Sequence, residues 1–116
     1  MGNPVVHFEI TGEKQRLLND FYGAIFDWKI DPIMEEYSLV NTGSGIPGGI
    51  GAMGKPGQHV TFYVEVADVA AALVRIESKG GKKAFGPHPV PTGTIIAGFT
   101  DPQEHLVGLV RQPAKQ

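Results

Sequence analysis

His7 and Glu9 stand two residues apart in Val5-Val6-His7-Phe8-Glu9-Ile10, and His59, Thr61, Tyr63 and Glu65 share that spacing in His59-Val60-Thr61-Phe62-Tyr63-Val64-Glu65. Successive side chains of an extended chain point to opposite faces, so each polar set shares one surface. Imidazole, carboxylate, hydroxyl and phenol groups on one surface can hydrogen-bond a polar ligand. A phenol beside a carboxylate, as in Tyr63 and Glu65, can also move protons, and the competing reading of Tyr63 is a structural cross-strand hydrogen bond. His7 likewise has two readings, a neutral imidazole hydrogen-bonded in a polar pocket or a metal ligand. No residue is assigned a catalytic role.

The elements that must hold these groups occur twice. Val6, Phe8 and Ile10 form the oily face of a strand, and after Thr11-Gly12 the pairs Leu17/Leu18, Phe21/Tyr22 and Ile25/Phe26 recur every four residues, predicting a helix from about 13 to 26. Asp31-Pro32 predicts a turn, Glu36 to Val40 a strand, and Gly48 to Met53 a further strand. The pattern then restarts: Val60, Phe62, Val64 and Val66 alternate on a strand, and Asp68 caps a helix whose Val69, Ala72, Leu73 and Ile76 fall on one side before Gly80-Gly81. Later strands are expected at about 93–99 and 106–110, separated by Asp101-Pro102-Gln103-Glu104. A shift of 54 residues superposes Val6 on Val60, His7 on Thr61, Phe8 on Phe62 and Glu9 on Tyr63. The chain therefore reads as one α+β domain over 1–116, built from two βαβββ modules at about 4–54 and 58–113. Two such halves imply pseudo-twofold symmetry, with Val6, Phe8, Val60 and Phe62 on the helix-packed faces and the opposite, polar faces lining a concave pocket.

Composition narrows the classes of function. Of 116 residues 41% are hydrophobic and 19% charged, ordinary values for a globular chain. Ten basic against twelve acidic residues, with no like-charge run, offer nothing to nucleic acid or an acidic membrane. Without an apolar span or a secretory leader the expected location is the cytoplasm. The absence of cysteine excludes disulfides, thiolate metal sites and cysteine nucleophiles. Gly43-Ser44-Gly45-Ile46-Pro47-Gly48 matches a dinucleotide-binding fingerprint in letters, but the continuation is glycine and proline where that motif needs a helix. With seven glycines and two prolines, 43–57 reads as turns and an inter-module linker, or as a loop closing over the pocket. His88, among Pro87, Pro89 and Pro91, reads as an exposed loop residue, and His105 as a turn residue opening the last strand. Trp28 reads as a packing anchor or an interface contact.

The first-strand sequence, together with Asp20-Phe21-Tyr22, Phe26-Asp27-Trp28, His59 to Val64 and Asp101 to Leu109, resembles the vicinal oxygen chelate superfamily of glyoxalases, bleomycin-resistance proteins and dioxygenases over nearly the whole chain. The resemblance implies two βαβββ modules forming an incomplete mixed β-barrel around a divalent metal, commonly in homodimers or tandem chains. It also implies metal ligands on the first and last strands of each module, usually His or Gln, Glu, His and Glu. His7 falls on the first of these positions, Thr61 on the second His, and the two Glu positions fall at about Gly51 and at Gly108. Those three replacements leave a single imidazole where three or four donors are needed. A displaced site drawing on His59, Glu9 and Glu65 is the other route to a divalent ion.

The expectation is thus a glyoxalase-like protein that acts on or binds a small molecule between the modules, without the full metal site. An active form would be a lyase, isomerase or dioxygenase. The second reading is metal-free sequestration of a drug or metabolite. The pocket candidates are His7, Glu9, His59, Thr61, Tyr63 and Glu65; no cofactor is expected, and the expected assembly is a homodimer.

Overall fold

A computed structural model of the chain describes residues 2–51, 58–90 and 93–113. Eight strands and two helices follow in the order β1 (Val5–Thr11), α1 (Gln15–Phe26), β2 (Lys29–Met34), β3 (Tyr37–Asn41), β4 (Gly48–Gly51), β5 (His59–Glu65), α2 (Val69–Ser78), β6 (Lys82–Pro89), β7 (Ile95–Thr100) and β8 (Leu106–Arg111). This is the α+β, twice-repeated βαβββ order expected from the repeat. Ala52 and Met53, placed by the pattern at the end of a strand, and the rest of the glycine-rich linker lie outside the described residues.

Contacts divide the chain into two compact units, Val6–Phe62 and Met1–Val5 with Tyr63–Gln116. In the first, β1 runs parallel to β4, and β4, β3 and β2 follow antiparallel. In the second, β5 runs parallel to β8, and β8, β7 and β6 follow antiparallel. The repeat in sequence is therefore also a repeat in strand order.

The core of the first unit is Ile10, Val40 and Ile50, with Phe8, Leu18, Tyr22, Trp28 and Ile30 packed against it. The helix-period stripe is split: Leu18 and Tyr22 turn inward, while Leu17, Phe21, Ile25 and Phe26 stay exposed. A helix lying on a sheet buries an arc narrower than the two adjacent columns that the pairs occupy. Trp28 stacks on Tyr22 with ring centroids 5.6 Å apart and meets Phe8 at 5.5 Å, so it is a packing anchor.

Three expectations need correction. Asp31-Pro32 does not turn the chain: β2 runs through both residues, its pairing with β3 shifts between Pro32 and Met34, and the turn falls at Glu35-Glu36. Proline is tolerated because β2 has no partner beyond β3 within its unit. Val60 and Phe62 are not helix-packed, being 76% and 42% exposed. Their parity is right, since Val64 and Val66 do reach the core of the second unit, but α1 lies over β2, β3 and β4. His88 sits in strand β6 rather than a loop, exposed, with its ring stacked on Phe85 at 6.2 Å. Proline interrupts this strand only locally, at the irregular pairing between Phe85 and His88.

The second unit packs Val69, Leu73, Ala97 and Leu109 together. Asp68 caps α2 as expected, its carboxylate accepting the Ala71 N–H at 3.0 Å. Gly80, at φ 101°, lets the chain leave the helix in the left-handed region.

Candidate functional site

Strand alternation puts His7 and Glu9 on the β1 face opposite Phe8 and Ile10. What joins them is a third residue. The Tyr37 hydroxyl donates to Glu9 Oε2 at 3.1 Å and lies 3.0 Å from His7 Nε2. With the phenol proton given to Glu9, His7 Nε2 carries the proton donated to the phenol oxygen, which sets the imidazole tautomer. The result is a directed chain, His7 to Tyr37 to Glu9, anchored on a carboxylate only 7% exposed. Buried polar groups of this kind are stable when mutually satisfied and costly when one partner is lost.

Tyr37 reaches this place because of a glycine. Glu9 pairs with Gly49 across β1 and β4, and a Cβ at Gly49 would fall on the Tyr37 hydroxyl. Sequence reading had placed Tyr37 in a strand without assigning it a role. Its neighbour on that strand, Ser38, is fully buried and receives the side-chain amides of Gln15 at 2.6 Å and Asn19 at 2.9 Å, which fasten α1 to β3.

The other candidates have separate surroundings. His59 meets Thr11, whose Oγ1 accepts the His59 N–H at 2.9 Å, beside a cleft of about 550 Å³ that includes Leu17, Leu18 and Val60. Thr61 is buried at 8% exposure in the first unit. In the second unit Tyr63, 5% exposed, covers Gly108, its partner across β5 and β8. Glu65 is half-buried, and its backbone pairs with Asn3 and Pro4. A second cleft, of about 610 Å³, lies beside α1 between Glu13, Arg16, Trp28 and Glu36 and includes neither His7 nor Glu9. His105 is exposed, its Nδ1 3.0 Å from the Asp101 carboxylate.

The register refines the alignment of ligand positions. Glu9 and Tyr63 are equivalent under the 54-residue shift, and they pair with Gly49 and Gly108. Gly49, not Gly51, is therefore the counterpart of Gly108. The described residues of either unit do not by themselves make up the donor set of a catalytic divalent ion. Among the described residues no three His, Asp or Glu side chains converge, and His7 and Glu9 are tied to one phenol.

A family model for the Glyoxalase/Bleomycin resistance protein/Dioxygenase superfamily matches residues 5–109, and the chain belongs to that superfamily. Among solved structures it is similar to Streptomyces coelicolor methylmalonyl-CoA epimerase in complex with 2-nitronate-propionyl-CoA, at 18% identity, covering 97% of this chain and 99% of that one, with a TM-score of 0.69. A hypothetical protein of Bacillus halodurans matches at 13% identity over 100% and 99% of the two chains, with a TM-score of 0.73. The Mn(II)-bound glyoxalase of Novosphingobium aromaticivorans matches at 12% identity, covering 95% of this chain and 38% of that one, with a TM-score of 0.69. No curated protein matches. At these identities the likeness defines the fold.

Proposed function

We propose that this protein acts on or binds a small molecule without the full metal site of its superfamily, through hydrogen bonds from the polar faces of its first strands. The groups offered for this are His7 and Glu9, joined by Tyr37, together with His59 and Thr61 in the first unit and Tyr63 and Glu65 in the second. The observation that carries the reading is the His7–Tyr37–Glu9 chain, an oriented set of donors and acceptors on a superfamily scaffold. Such a set recognises a ligand oxygen or nitrogen by direct hydrogen bonding and can pass a proton along its length. Sequestration of a drug or metabolite is the second reading, favoured by a donor set that lacks a metal-activating carboxylate pair.

Methylmalonyl-CoA, bound in a methylmalonyl-CoA epimerase of similar fold, and bleomycin are suitable first probes in equilibrium binding. Turnover of the former supports an enzyme, whereas saturable binding of either without turnover supports sequestration. His7→Ala and Tyr63→Phe should each weaken binding by about 1–3 kcal/mol through an unpaired buried partner. Unchanged affinity in both variants would remove these residues from the site. We also propose a homodimer, supported by the apolar row Leu17, Phe21 and Ile25, all more than half exposed on α1. Sedimentation showing only a 12.4 kDa species would reject it. No helix among the described residues is long and apolar enough to cross a membrane.

A further inference from the structure

We infer that each unit is built against a metal, Tyr37 in the first and Tyr63 in the second occupying the position from which a strand-end carboxylate of that unit would have to reach an ion. The inference deepens the metal-free reading above and rests on it. Gly49 on β4 and Gly108 on β8 are equivalent by register, each lying beside the polar first strand of its own module. In neither case is the space above the glycine empty. A Cβ at Gly49 would meet the hydroxyl end of Tyr37, and a Cβ at Gly108 would meet the ring of Tyr63. Interiors are packed too closely for two side chains to share one such volume. Glycine on β4 or β8 and tyrosine above it are therefore one choice, and a strand-end glutamate is the other.

The two modules reach the same exclusion by different routes. Tyr63 rises from β5, the first strand of its module, whereas Tyr37 comes from β3. The position equivalent to Tyr37 by register in the second module is Ile96, since Leu39 pairs with Gly49 as Gly98 pairs with Gly108. The exclusion is thus not a simple by-product of the repeat. In the first module the intruding group also takes over the remaining donors: the phenol accepts from His7 and donates to Glu9. An imidazole whose Nε2 proton is engaged in this way offers no lone pair there to an ion, and a neutral phenol is a poorer ligand for a divalent ion than the carboxylate it replaces.

The test uses the full chain, purified without affinity metal and treated with EDTA, and titrated calorimetrically with Mn²⁺, Ni²⁺ or Zn²⁺ alone. The wild type should show no one-to-one binding tighter than about 1 mM that depends on His7. The exchange variant Tyr37→Ala/Gly49→Glu restores a carboxylate beside His7 and Glu9 and should bind at least about tenfold more tightly, a gain that His7→Ala in the same background removes. Binding by the wild type tighter than about 1 mM and lost in His7→Ala would overturn the inference. So would an exchange variant with native circular dichroism and no gain. If the exchange variant does not fold, the wild-type titration and its His7→Ala control still decide. Because the probe is the metal alone, a failure here leaves the small-molecule reading standing, and failure to find a ligand leaves this inference untouched.

Discussion

The two units repeat one strand order but are held together differently. In the second, α2 is capped by Asp68 and buries Val69 and Leu73 in an apolar core. In the first, α1 begins at Lys14 without a side-chain cap, buries no residue fully, and is fastened to β3 by two amides converging on Ser38. Its outer row of Leu17, Phe21 and Ile25 is left exposed. The difference teaches that duplication fixes topology while leaving each copy free to divide its labour. The second unit packs its helix on an apolar sheet face, and the first carries the connected polar chain.

The largest expected effect sets the two helices against each other. Leu73→Ala should cost about 2–5 kcal/mol in denaturant unfolding, because it removes a buried side chain from a packed core. Leu17→Ala on α1 should stay within about 0.5 kcal/mol in the isolated protomer. A cost above about 1 kcal/mol at Leu17 that appears only as the protein concentration is raised is the signature of a second copy covering it, and a small cost at Leu73 would break the contrast.

Tyr37→Phe comes next. It keeps the ring over Gly49 and deletes the hydroxyl shared by His7 and Glu9, and a loss of about 1–3 kcal/mol in urea unfolding is expected from the polar groups left short of a partner. A neutral result would mean that water replaces the phenol without penalty and that the chain is not a closed network. Asp68→Ala should cost about 1 kcal/mol by removing the α2 cap, with unfolding monitored by circular dichroism. Lys14→Ala, at the uncapped end of α1, should have no comparable effect.

The smallest effect is one of pH. The His105 backbone N–H, with further help from the Gln103 N–H and the His105 side chain, holds the half-buried Asp101 carboxyl below its ordinary value of 3.8. A depressed folded value means that the contribution of this turn is present above 3.8 and is lost as the pH falls through the lowered value. Melting temperature measured on the acid side should therefore depend slightly less on pH in Asp101→Asn than in the wild type. An unchanged slope would show that the turn is indifferent to this charge.

The sequence by itself determined the repeat, the βαβββ order, the caps and the parity of the strands. These are local properties: alternation, a 3.6-residue period, Asp at a helix start and Gly-Gly at its end act within a few residues of themselves. Even the hidden strand β6 was required by the order, although its prolines disguised it. What only the tertiary structure decided is which faces are covered and which polar groups meet. Val60 and Phe62 have core-forming types and the right parity, yet lie exposed because helix coverage depends on where α1 lies. Tyr37 stands 28 residues from Glu9 and 30 from His7, and no pattern in the chain joins them. Their meeting depends on β3 lying beside β4, β4 beside β1, and a glycine at 49 leaving room for a phenol. Local rules cannot fix a contact made by three strands at once, because its energy exists only after all three have been placed.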